Sequence, residues 1–398
     1  MTQPLPLDGV RVIEFCNVAA GPFCGMLLAD MGADVVKVEP PGGDMLRQWP
    51  PHNLTQDGGF SENFASLNRG KRSLVLDLKV AADNAMATDL AGDADVLVEN
   101  SRPGAMDRLG LGYAALSVRH PGLVYCSISA YGQSGPRMAQ GGFDVTIQAA
   151  SGIMSVTGEP GRVPVKCGVP VSDFAAGLYG AYAVCAALLR VRAGGRGVHI
   201  DVPMLGTSLA IAALQTSEHF GTGADPQPLG SAHPRNAPYQ AFQASDRPFV
   251  VAAGNDNLWQ SVCACVGQPE LVSDPRFGTV AARARNQAAL ADVLNLVFNR
   301  RPAAEWLEML EARGVPVSLI NSYSEALADK QVEAAGWVVP MTLPNGAETR
   351  TFASPLRLDG QAVPLRSGPP ALDGNRAEIF DALARRKRVS RQANGGSA

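Results

Sequence analysis

The chain has 398 residues, 46% of them hydrophobic and only 18% charged, with a formal net charge of −3. That length suits two or so domains with sizeable cores, and the near-neutral balance excludes the strong positive field that draws in nucleic acid. The seven cysteines are scattered through apolar segments and the five histidines stand apart from one another. This argues against a disulfide framework and against a zinc site, so no metal is expected. No early stretch reads as a secretory signal, and no uninterrupted apolar run reads as long enough to cross a bilayer. The expected setting is a reducing cytoplasm, without a membrane partner.

In chain order, Val10–Phe15 predicts a buried strand, Asn17–Pro22 a turn, Phe23–Met31 a helix and Asp34–Val38 a second strand. The pattern recurs with a strand at Ser73–Asp77, a helix at Ala81–Ala91 and strands at Asp95–Glu99 and Gly122–Ser129. Strands alternating with helices predict a mostly parallel, doubly wound α/β sheet. Ligands on such sheets lie beyond the carboxyl ends of the strands, here the turns after Phe15, Val38, Glu99 and Ser129.

The run Gly168-Val-Pro-Val-Ser-Asp173 then delivers one carboxylate to the start of a long apolar helix, read over Phe174–Arg192. Ser172 or Asp173 falls at or beside the N-cap, where an oxygen acceptor can take an orphan backbone N–H. The partial positive charge of a helix start also favours the ionised carboxylate. Set among Val, Ala, Phe and Gly, this Asp reads either as a plain cap or as a nucleophile kept in an apolar pocket.

His199–Val202 predicts a further strand and Met204–Phe220 a second long helix, followed by a Gly/Pro-rich connection from Gly221 to Pro238. Tyr239–Ala253 reads as a hairpin across Asp246-Arg247-Pro248, and helices are predicted at Asp256–Val266, Ala281–Asn299 and Ala303–Arg313. The expected organisation is a large Rossmann-like domain over 1–203 and a linker helix and loop over 204–238. A smaller α+β domain over 239–323 and a return segment over 324–384 follow. The basic end, 385–398, reads as a flexible solvated tail.

Several motif families are absent. Gly21 and Gly25 with Pro22 between them do not make the glycine turn of a dinucleotide site, although Glu39 closes the second strand as a ribose-binding acid would. Gly132-Gln-Ser-Gly135 has no histidine downstream that would complete a nucleophile elbow. What recurs are cations and amides at the loops: Arg47, Asn68-Arg-Gly-Lys-Arg72, Asn100 with Arg102, and Arg108. Dispersed groups of this kind suit a ligand carrying phosphates on a long flexible arm, or they are surface charge at structural turns.

From Leu7 to Leu383 the chain resembles the family III CoA-transferases, the CaiB/BaiF family. The likeness lies in the order of Asn17-Val-Ala-Ala-Gly-Pro22, Leu28-Ala-Asp-Met-Gly-Ala-Asp-Val-Val-Lys-Val-Glu-Pro40, Asn68-Arg-Gly-Lys-Arg-Ser73 and Val98-Glu-Asn-Ser-Arg-Pro-Gly104 with Arg108-Leu-Gly110. Ser129-Ala-Tyr-Gly132, Gly141-Gly-Phe-Asp144, Gln148-Ala-Ala-Ser-Gly152 and the run to Asp173 complete it. The resemblance implies a Rossmann-like domain joined by linkers to a smaller one, and two chains threaded as an interlocked homodimer. It places the catalytic aspartate on Asp173 and CoA-binding positions on Val18, Ala19, Ala20, Lys71, Arg72, Asn100, Arg108 and Tyr131. The implied chemistry moves CoA from an acyl-CoA, with succinyl-CoA the family's habit, to a free carboxylic acid. A CoA thioester is then the substrate, and no permanently bound cofactor is expected.

The same fold hosts α-methylacyl-CoA racemases, which carry a His-Asp pair where this chain has Phe143 and Asp144. Without that histidine one face of the α-carbon lacks its acid/base group. Relatives acting on formyl-CoA and oxalate carry a glutamine where this chain has Ala19, and a glycine-rich loop where it has Ala252-Ala-Gly-Asn-Asp256, which disfavours an oxalate enzyme. A catalytically silent CoA-binding protein would have been free to lose Asp173. Arg47, Arg137 and Arg235 are the candidate partners for a second carboxylate on the acceptor.

Overall fold

A computed structural model describes residues 4–56 and 58–395, with side chains to residue 388. The chain forms two compact units. One contains the described residues up to Ile153, then Lys166–Thr222, then Glu333 onward; the other contains Met154–Val165 and Gly223–Val332. The expected large domain, 1–203, therefore lacks 154–165 and gains the helical stretch up to Thr222, while the second unit runs past residue 323.

The first unit is built on a six-stranded sheet: β1 (Arg11–Phe15), β2 (Asp34–Glu39), β3 (Lys71–Val75), β4 (Val96–Glu99), β5 (Val124–Ser129) and β6 (Val198–Pro203). Every pairing is parallel and the spatial order is β3-β2-β1-β4-β5-β6. That is the doubly wound dinucleotide-fold order, which reverses direction between β1 and β4. Alternation along the strands feeds two cores. Val12, Val35, Val96, Val98 and Cys126 face one side of the sheet, and Ile13, Val36, Leu74, Leu97 and Tyr125 face the other.

Helices α1 (Ala20–Asp30), α2 (Ala81–Asp93), α3 (Asp144–Ala150) and α4 (Val171–Arg192) cover it. The first core takes α1 and α4; the second takes α2 and Ile379 and Leu383 of a final helix. Gly177 lets α4 lie close on α1, since a Cβ there would stand 2.8 Å from the Ala20 carbonyl oxygen and from the Phe23 ring. Phe23 and Phe174 meet beside it with ring centroids 4.6 Å apart.

Some elements differ from expectation. The long helix starts three residues early, at Val171, and at 22 residues is long and apolar enough to cross a membrane by length and composition. Here its inner face, with Ala176, Val184 and Leu188, belongs to the core of the first unit. The helix read over Met204–Phe220 breaks at Ala212 into Met204–Ile211 and Ala213–Thr222, and that over Ala281–Asn299 breaks at Asn286. The basic tail is helical to Gly395, in an element that begins at Arg376. At the start of the tail Arg386 pairs with Asp93 and Lys387 with Asp89 of α2, both pairs partly exposed at the surface. Residues 396–398 lie outside the described ones.

The second unit has an antiparallel three-stranded sheet, β7 (Tyr239–Gln243), β8 (Pro248–Ala252) and β9 (Val317–Leu319), with β8 in the middle. Helices pack on it through Trp259, Phe298 and Trp306. Arg283 is fully buried and satisfied, donating to the carbonyls of Ala237 and Phe277 and pairing with Asp256 at 2.8 Å.

Candidate active site

Asp173 is not the N-cap of its helix. It is the third residue of α4, and the N-cap, Pro170, has no side-chain acceptor to offer. The cap comes from 28 residues away: Asp144 Oδ1 accepts the Ser172 N–H at 2.9 Å and the Asp173 N–H at 3.4 Å. Asp144 opens α3, and its other oxygen accepts from the Gln148 side-chain amide, whose Oε1 in turn accepts the Cys167 N–H. Ser172 is buried and accepts from the Ser208 hydroxyl. The first turn of α4 is thus fixed by other residues, and the half-buried Asp173 carboxylate is not called on to cap it. Burial, and then the nearby Asp144 charge, push the Asp173 carboxyl up to about 7.

Around the point where the strand order reverses, Asn100 follows β4 and clamps the segment after β1. Its amide oxygen accepts the Asn17 N–H at 2.9 Å and its nitrogen donates to the Asn17 carbonyl at 2.8 Å. Glu99, pushed up to about 7 by burial, accepts the Ser101 N–H and shapes the same turn. A cleft of about 260 Å³ opens along this edge, lined by Phe15, Asn17, Pro40, Lys79, Ser101 and Met106 among others. Such a crevice outside the carboxyl ends of parallel strands is where ligands of doubly wound sheets bind.

The positions expected to bind CoA divide into two groups. Val18 and Ala19 lead from Asn17 into α1, which Ala20 opens, and Ala19 is the N-cap of that helix without a side-chain cap. Arg108 closes a short helix, Ala105–Arg108, beyond the Asn100 turn, and its exposed guanidinium has no side-chain partner among the described residues. Tyr131 follows β5, with Arg137 stacked 3.8 Å over its ring.

Lys71 and Arg72 are placed differently. Both begin β3 at its amino end, and both side chains are already engaged by the protein. Lys71 is buried, with Nζ 2.8 Å from Glu14 Oε2 and donating to the Pro22 carbonyl and to Asn68. Arg72 pairs with Asp34 and Glu378. A run of cations in sequence carries no sign of which members the sheet buries.

The three arginines considered for a second carboxylate also separate. Arg47 is held bidentately by Glu39 and lies 3.7 Å over the Phe64 ring, so its charge is already matched. Arg137 is exposed, bonded to Gln140 as well as stacked on Tyr131. Arg235 is exposed and lies in the second unit.

Sequence reasoning missed two residues here: Lys79 in the cleft and Asp144 as the cap of α4. Asp144 stood in a quoted motif, but nothing local ties it to a helix that starts so much later.

The sequence profile described as CoA-transferase family III matches residues 7–376. The chain is 37% identical to a succinate–glutarate CoA-transferase of Agrobacterium fabrum, over 95% of this chain and 96% of that protein. It is 38% identical to an acetyl-CoA:oxalate CoA-transferase of Acetobacter aceti, over 94% of this chain and 95% of that one. Overall likeness therefore does not separate the two acceptors, whatever Ala19 suggests. A crystal structure of a CaiB/BaiF family protein from Brucella suis superposes with a TM-score of 0.86 at 37% identity, covering 96% of this chain and all of that one. On the match across nearly its whole length, this chain belongs to CoA-transferase family III.

Proposed function

We propose that the enzyme moves CoA from succinyl-CoA to a short dicarboxylate, with Asp173 as the covalent nucleophile. The observation that carries this reading is the Asp144 cap: it satisfies the amides at the start of α4 and leaves the half-buried Asp173 carboxylate available to substrate. The relatives named for glutarate and oxalate both act on dicarboxylates, which supports the acceptor class.

The steps balance without an added cofactor. An Asp173 oxygen attacks the thioester carbonyl carbon, the C–S bond breaks, and CoA thiolate leaves a mixed anhydride. The thiolate attacks the Asp173 carboxyl carbon and expels the donor as its carboxylate, giving an aspartyl-CoA thioester. The acceptor carboxylate attacks that carbon and regenerates thiolate, which then attacks the acceptor's acyl carbon and frees Asp173. One difficult exchange becomes several easier ones. Phe174, the residue after Asp173, packs on Phe23 and adds apolar surface that would help keep water from the anhydride. Lys79 and Arg108 supply cations for the CoA phosphates at the ligand edge.

Two further elements belong to this reading. The outer face of α4 leaves Leu178, Tyr179, Tyr182 and Leu189 exposed, which a second copy in a homodimer would cover. All seven thiols are unpaired, which suits a reducing cytoplasm. The test of the chemistry is mass spectrometry after incubation with succinyl-CoA and hydroxylamine. A hydroxamate on Asp173 is expected. No adduct from a panel of acyl-CoAs, with α-proton exchange in deuterated water, would replace transfer by epimerisation. Neither signal would leave binding alone.

A further inference from the structure

Three non-glycine residues among those described have positive φ, and one of them, Val18, is β-branched, at 65°. A β-branched residue rarely occupies that region, so something must hold it there. Its N–H donates to Asp44 Oδ1 at 3.1 Å, and the same oxygen accepts from Leu46 as the cap of the turn Met45–Gln48. Asp44 is fully buried. Lys37 Nζ stands 2.8 Å from Asp44 Oδ2, off the line of a good hydrogen bond, while donating to Glu14 Oε1 at 3.0 Å and to the Cys16 carbonyl at 2.7 Å. Glu14 in turn pairs with Lys71, which donates to the Pro22 carbonyl. Gly25 makes room for this, since a Cβ there would overlap the Glu14 carboxylate.

The loop entering α1 is therefore gripped at Cys16, Val18 and Pro22 by buried charges beneath it. Buried ion pairs seldom stabilise a fold more than apolar side chains of the same size would, so this cluster calls for another reason. Burial by itself would lower Lys37, yet the carboxylates of Glu14, Asp44 and Glu39 hold its ammonium above the ordinary value.

We propose that Asp44 is a positioning residue for acyl-CoA: seated on Lys37, it holds the Val18 peptide in its left-handed conformation and so aims the backbone of Val18–Ala20 at the substrate. This rests on the reading of Val18–Ala20 as a CoA-contacting loop. Substrate that meets a preset loop need not spend binding energy ordering it.

The experiment combines kinetics with hydrogen–deuterium exchange on the full chain. In the wild-type enzyme, succinyl-CoA should slow exchange in a peptide covering residues 16–23. Asp44→Ala should raise the KM for succinyl-CoA about tenfold or more and abolish that protection. Adding Val18→Gly should bring KM back to within about threefold of wild type, because glycine adopts positive φ without a side-chain clash. Unchanged KM and protection in Asp44→Ala would overturn the proposal. So would a defect that Val18→Gly does not relieve, because a merely structural role would not depend on residue 18. Absence of protection in the wild type would instead remove the loop from the CoA site, and the proposal with it. Should Asp44→Ala not fold, the double variant is compared with Val18→Gly alone: similar KM values agree, and a tenfold gap overturns.

Discussion

Helices α1 and α4 both begin without a capping side chain of their own, since Ala19 and Pro170 have none to offer. At α4 a carboxylate from another helix, Asp144, takes the Ser172 and Asp173 amides. At α1 the charges lie under the loop: they take the Cys16 and Pro22 carbonyls and the Val18 N–H, and the first turn is left without a side-chain cap. Support from outside the helix frees a carboxylate at one start and backbone amides at the other. The first suits a nucleophile, the second the anionic parts of an acyl-CoA. Where the capping charge is placed decides which group each helix start presents.

The comparison breaks most readily at Asp173. Asp173→Ala should lower transfer by about 10³-fold or more with circular dichroism unchanged, since the proposed anhydride forms on its carboxylate while that of Asp144 is committed to the α4 amides. Retained turnover would remove the nucleophile. On the α1 side of the comparison, Arg108→Ala should raise the KM for acyl-CoA about tenfold and leave kcat nearly unchanged, as expected for lost charge-assisted bonds to phosphate. A pure kcat defect would place Arg108 elsewhere.

Smaller effects sharpen the picture. On the proposed mechanism only ionised Asp173 attacks, so kcat/KM should rise with pH through about 7. Asp144→Asn keeps an acceptor for the α4 amides but removes the second cause of the raised value, so this acid limb should move to lower pH. A limb that stays in place would direct attention to Glu99, which burial also brings to about 7.

The smallest expected effect is on stability. Folded Asp173 holds its proton to about 7, against an ordinary value of 3.8. Between these values the folded state binds more protons than the unfolded one, so stability from this group falls as pH rises through the window. Asp173→Asn should therefore melt about 2 °C or more above wild type at pH 8, the difference vanishing near pH 4. Equal melting temperatures at pH 8 would mean that the carboxylate is better solvated than its setting implies.

Much of the large unit was legible because its signals are local. Buried strands at Val10–Phe15 and Asp34–Val38 announce themselves by apolar runs, the helix between them by its spacing, and the ligand edge by the direction that parallel strands share. The order of motifs from Asn17 to Asp173 carried the family. Breaks at Ala212 and Asn286 carry no glycine or proline signal, and periodicity runs straight through both.

The sequence by itself determined the alternating α/β plan, the CoA-transferase family and the candidacy of Asp173. Tertiary structure alone decided the surroundings of the charged groups. Lys71 and Arg47 look like free cations in sequence, yet Glu14 and Glu39 have claimed them; Asp173 looks like a cap, yet Asp144 does the capping. The reason is physical. Strand and helix patterns depend on neighbours within a few residues, whereas the fate of a charge depends on burial and on partners brought from distant parts of the chain.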